Sequence, residues 1–92
     1  MPREALRIET PFSRDAIDLI DALRAHGFRA GLADTPGTWD VAVTGSLSEI
    51  APVLAERLAG QGTSAAAVYA GERLFVVEAA PEPVRQRVFA AV

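Results

Sequence analysis

LRIETPFSRDAIDLIDALRAHG (6–27) and WDVAVTGSLSEIAPVLAERLAGQG (39–62) each read as a strand followed by a helix, and each run stops at a glycine. In the first, Leu6 and Ile8 alternate with Arg7 and Glu9, the period of a half-buried strand with one wet face over residues 5–10. Pro11 cannot donate to a ladder and breaks it. Ser13 is then the expected N-cap, with Asp15 in the first turn where the helix dipole favours an anion. Ala16, Ile17, Ile20 and Leu23 recur at helical spacing, and His26-Gly27 closes the run as a last-turn base followed by a C′ glycine.

Between the two units, residues 28–33 read as a second strand. Asp34-Thr35-Pro36-Gly37-Thr38 has the order of a type II turn, with proline presetting one position and glycine supplying the next. Residues 39–44 then return as a third strand, making a hairpin. Ser46 and Glu49 have capping-box spacing, but Pro52 would lie deep inside a helix capped by Ser46. A start at Ser48, or a distorted start, is therefore expected. Leu47, Ile50, Ala51, Leu54 and Leu58 form the inward stripe, and Gly60-Gln61-Gly62 ends it.

Residues 64–70 and 73–79 flank Gly71-Glu72, a two-residue hairpin signal of the II′ kind. Both strands are apolar on both faces, so both faces should be covered. After Pro81-Glu82-Pro83, a short C-terminal helix is expected, because Val84, Val88 and Val92 repeat at i, i+4 and i+8 with Phe89 beside them.

The element order is β-α-β-β-α-β-β plus that helix, in one domain over 1–92. Its first six elements match an α+β, two-layer, ferredoxin-like (split βαβ) sandwich, an antiparallel sheet with two helices on one face. The order also resembles small ligand-binding regulatory modules and homodimeric α+β barrels, in architecture alone. An offset of thirty-five aligns Ala16, Leu19, Leu23 and Gly27 with Ala51, Leu54, Leu58 and Gly62, as two stacked equal units would.

Composition narrows the function classes. With 92 residues and half of them apolar, the core is modest, and a small core benefits from association. Zero cysteines exclude disulfides, thiolate nucleophiles and Cys-ligated zinc. All nine basic residues are arginine, which excludes lysine Schiff-base chemistry. A net charge of −3 with scattered arginines argues against nucleic acid and anionic membrane, and no apolar run approaches a membrane span of about 20 residues. No signal-type apolar segment follows the N-terminal Met-Pro-Arg-Glu, so a cytoplasmic location is expected.

Candidate chemistry is sparse. At Thr44-Gly45-Ser46-Leu47-Ser48 a strand ends, a glycine admits close approach, and Thr44, Ser46 and Ser48 surround the free N–H groups of a helix start. A phosphate or carboxylate could be held there, although the serines equally satisfy those donors as caps. His26 is the sole imidazole and sits at a helix end that explains it. Ser13, His26 and Asp34 lack the spacing of a nucleophile elbow. Asp15, Asp18 and Asp21 drift around helix one as a solvated face rather than a cation site. Trp39 and Tyr69 suit a core or a rim.

The strongest functional hint is the doubly apolar terminal hairpin. Val68, Phe75 and Val77, with Val88 and Phe89, are the expected interface of a homodimer, formed by an open sheet face or an edge strand. The expected function is a non-enzymatic binding or regulatory module that needs no metal or cofactor. It would be homo-oligomeric and present a sheet face or groove to a protein partner or small anionic ligand. A small enzyme or ligand-binding domain using the Thr44–Ser48 helix start is the alternative. An accessory subunit adding its last strand to another sheet is a third reading.

Overall fold

A computed structural model of the chain describes residues 4–34 and 37–81. The elements run β1 (Glu4–Ile8), α1 (Ser13–Ala25), β2 (Arg29–Leu32), β3 (Val41–Gly45), α2 (Leu47–Gln61), β4 (Ala65–Ala70) and β5 (Arg73–Glu78). The strands form one antiparallel five-stranded sheet in the order β2-β3-β1-β4-β5. The expected C-terminal helix and the Thr35-Pro36 half of the turn lie outside the described residues.

Alternation along each strand decides which side the helices take. Leu6, Ile8, Val41, Val43, Ala66, Val68 and Ala70 share one face and are buried. They meet Ala16, Leu19, Ile20 and Leu23 of α1 and Ile50, Leu54 and Leu58 of α2 in one cluster. α1 lies over β2 and β3, α2 over β4 and β5, and the two helices touch. The result is a two-layer α+β sandwich with both helices on the same side. Of the thirty-five-residue repeat, Leu19, Leu23, Leu54 and Leu58 are all core positions.

Both helices end as the glycines require. Phe28 N–H donates to Leu23 C=O and Gly27 N–H to Arg24 C=O; Thr63 N–H donates to Leu58 C=O and Gly62 N–H to Ala59 C=O. These are paired Schellman bonds, with Gly27 and Gly62 at φ of 89° and 75°, a region costly for residues with a Cβ.

The helix starts differ from expectation. α1 begins at Ser13 itself, Phe12 is the N-cap residue, and no side chain caps it. Ser13 is thus the first helical residue, where its hydroxyl is too far along to act as the cap. α2 is capped by Ser46, not Ser48: Ser46 Oγ accepts from Glu49 N–H at 3.3 Å and donates to Glu49 Oε1 at 3.0 Å. Pro52 is consequently inside the helix. Its missing N–H removes the helical donor to the Ser48 carbonyl, and both residues are exposed to solvent, where that loss is cheapest. Strands β1 and β3 are also shifted: Trp39 and Asp40 precede β3, and Glu9 and Thr10 follow β1.

Candidate functional site

The β3–α2 junction is built chiefly for packing. A Cβ on Gly45 would come within 2.9 Å of Ile50 Cδ1 and 3.2 Å of Phe28 Cδ1. A larger residue there would displace the end of the Ile50 side chain and crowd the Phe28 ring. Ser46 is buried and its hydroxyl is committed to capping α2 and to the Glu49 carboxylate; Ser48 Oγ lies 3.3 Å from Ser46 Oγ. Thr44 is exposed on the far side of β3. Thr44 and Gly45 line a recess of about 220 Å³ with His26, Gly27, Phe28, Arg29 and Glu49. His26 Nδ1 lies 2.9 Å from Ala22 C=O; a carbonyl only accepts, so Nδ1 carries the proton in the neutral ring and Nε2 is the free nitrogen. Ser13, His26 and Asp34 do not converge: Ser13 opens α1, His26 closes it, and Asp34 follows β2.

The terminal hairpin shows its other face. Val68 is 0% exposed, and Phe75 and Val77 pack partly buried against the helix-side core. They pair as Val68 with Phe75 and Ala66 with Val77, on the face shared with Ile8. As an open-side interface these three are therefore misassigned: the open residues of β5 are Leu74 and Val76, 56% and 65% exposed. The error has one cause. Both faces of β5 are apolar, so alternation names two sets without saying which is covered, and only the register to β1 decides. Val88 and Phe89 lie outside the described residues.

The open face also carries a polar network that reading the strands singly misses. Arg7 pairs with Asp40, whose side chain is 2% exposed. The Arg7 guanidinium lies over the Tyr69 ring at 4.3 Å, and Tyr69 Oη donates to Glu9 Oε2 at 3.2 Å. Adjacent pairings create it: Arg7 stands opposite Ala42 on one side and Tyr69 on the other. The Glu9 carboxylate, aided by partial burial, raises the Tyr69 phenol above its ordinary pKa. The signal was present in the wet parity of Arg7 and Glu9, but their partners depend on strand order.

On the helix layer, Arg57 forks onto Asp18 with bonds of 2.7 to 3.0 Å, and Gln61 Nε2 donates to the same carboxylate at 3.0 Å. Burial pushes the Asp18 carboxyl up, but the Gln61 and Arg57 hydrogen bonds and the Arg57 charge outweigh it, so its pKa lies below the ordinary value. This aspartate clasps α1 to α2 rather than facing water alone. Among the described residues no group of three or more His, Asp or Glu side chains is placed to hold a metal ion, and no helix is long and apolar enough to cross a membrane.

Compared with known proteins, the chain matches no family model, no curated protein and no solved structure.

Proposed function

We propose that the chain is a ferredoxin-like, non-enzymatic binding or regulatory module that works as a homo-oligomer, with the terminal hairpin as its contact surface. The strand order β2-β3-β1-β4, with a crossover helix after β1 and another after β3, supports the split-βαβ assignment. The observation that carries the functional reading is Leu74 and Val76 exposed together on an edge strand. Edge strands in monomers are normally blunted by charge, proline or brevity. Size-exclusion chromatography with light scattering tests it: the parent chain runs as a dimer or larger, and Leu74→Glu reduces the mass with an unchanged circular dichroism spectrum. A parent chain that is monomeric at every concentration contradicts it.

A second reading has one observation in its favour. Arg29, which makes no ion pair among the described residues, shares the junction recess with Thr44 and His26, a donor set suited to a phosphate or carboxylate. Glu49 lines the same recess and opposes an anion there. Inorganic phosphate raising the melting temperature of the parent but not of Arg29→Ser supports this reading; no shift in either removes it.

A further inference from the structure

Resting on the self-association proposed above, we infer that the oligomer is a two-fold dimer in which β5 pairs antiparallel with β5 of a second copy, with Val76 on the axis. Two five-stranded sheets then become one continuous sheet of ten.

The outward groups of β5 follow from its ladder with β4. Ala79 N–H donates to Ser64 C=O, so Ala79 faces inward, and hydrogen-bonding direction alternates along a strand. Arg73, Phe75 and Val77 therefore direct their backbone groups at β4. Leu74, Val76 and Glu78 direct theirs away from it, at the edge of the sheet formed by the described residues.

Those three residues choose their own partner. A two-fold axis perpendicular to the sheet keeps open face beside open face, so residues facing each other must share parity. Centring on Val76 sets Leu74 opposite Glu78 of the copy, Val76 opposite Val76, and Phe75 opposite Val77. The whole outward set is matched with itself. Centring on Phe75 sets Glu72 against Glu78 of the copy, like charges across the pair. Centring on Val77 brings Leu74 to Ala80, whose N–H already donates to Ala55 C=O of α2. Centring on Leu74 pushes the strand onto the copy's turn at Gly71-Glu72. One register survives.

The occupant is a second copy for two reasons. A strand laid on this edge sets side chains beside Leu74 and Val76 on one face and beside Phe75 and Val77 on the other, and Leu74-Phe75-Val76-Val77 of a second copy supplies apolar neighbours to both. The other edge is the poorer partner, because β2 has only four residues and contains Gly31; pairing β2 with β5 would also be a head-to-tail contact, which builds rings or filaments rather than a closed two-fold pair.

Val76→Pro is the discriminating variant. The N–H it removes points away from β4, so the intrachain ladder is intact, while the central bonds of the dimer are lost. The expected result is a monomeric mass at concentrations where the parent is dimeric, with an unchanged circular dichroism spectrum; Val76→Thr stays dimeric. Because the chain has no cysteine, Val76→Cys gives an independent reading. Mild oxidation yields a covalent dimer through residue 76, and Leu74→Cys, set four residues from its own copy, yields none. A dimeric parent whose Val76→Pro variant is also dimeric and whose Val76→Cys variant does not cross-link overturns this register while leaving self-association standing. A monomeric parent overturns both.

Discussion

The two faces of the sheet use the same five strands for opposite purposes. The helix-covered face carries Leu6, Ile8, Val41, Val43 and Val68, all buried. The open face carries Ala5, Ala42, Ala67, Arg7 and Tyr69, with Leu74 and Val76 at the β5 end. Burying a large aliphatic side chain contributes about 1.5–3 kcal/mol, so the covered face supplies stability and fixes the register. The open face contributes less of either, and it is the face that the homo-oligomer proposed above would use. Buried and open positions are separated by one residue of alternation.

The sharpest contrast is between Ile8 and Leu74. Ile8→Ala removes a fully buried side chain from beneath both helices and lowers unfolding free energy by about 2–5 kcal/mol. Leu74→Ala changes the stability of the monomer by no more than about 0.5 kcal/mol. Urea titration of both variants checks this, and equal costs would erase the distinction between the faces.

One open-face element breaks the rule of low cost. Arg7→Met leaves the buried Asp40 carboxylate without its partner and destabilises by about 1–3 kcal/mol. The double variant Arg7→Met with Asp40→Asn recovers much of that loss, since the unpaired charge is gone. Failure of the second substitution to compensate would show that Arg7 acts through its stem and the Tyr69 ring instead.

Smaller effects sharpen the covered side. Ser46→Ala removes the N-cap of α2 and costs about 1 kcal/mol, whereas Ser13→Ala removes no cap and is close to neutral. The Asp18–Arg57 clasp gives a pH signature. The folded-state pKa of Asp18 lies below its unfolded value, so its contribution is present above the ordinary carboxylate pKa and is lost as pH falls through the folded value. Both side chains are about a third exposed, so screening limits it to about 1 kcal/mol or less. Asp18→Asn should flatten that part of the acid-stability curve, and an unchanged curve would remove the clasp from the account.

Much of the fold was legible because local signals agreed. The strand alternation at Leu6 and Ile8, the stripes from Ala16 to Leu23 and from Ile50 to Leu58, and the glycines at 27 and 62 all name the elements found. Pro52 misled the reading of α2, because a proline inside a helix is costly in general yet cheap where the orphaned carbonyl is wet. The candidate site was less legible. Thr44 and Gly45 do line a recess, but the space around Gly45 is taken by Phe28 and Ile50, which local sequence cannot bring together. The terminal hairpin was recognised as doubly apolar, yet its open face was chosen wrongly, since sidedness is a property of the pairing with β1. The Arg7–Asp40 pair links β1 to the residue just before β3, which come together only after α1 and β2 intervene.

The edge of β5 offers the most direct measurement. Amide hydrogen exchange of Leu74, Val76 and Glu78 should be slow at high protein concentration and accelerate on dilution, while Phe75 and Val77, bonded to β4, stay protected throughout. Fast exchange of the outward three at every concentration, or protection that dilution leaves unchanged, would contradict an edge closed by a second copy.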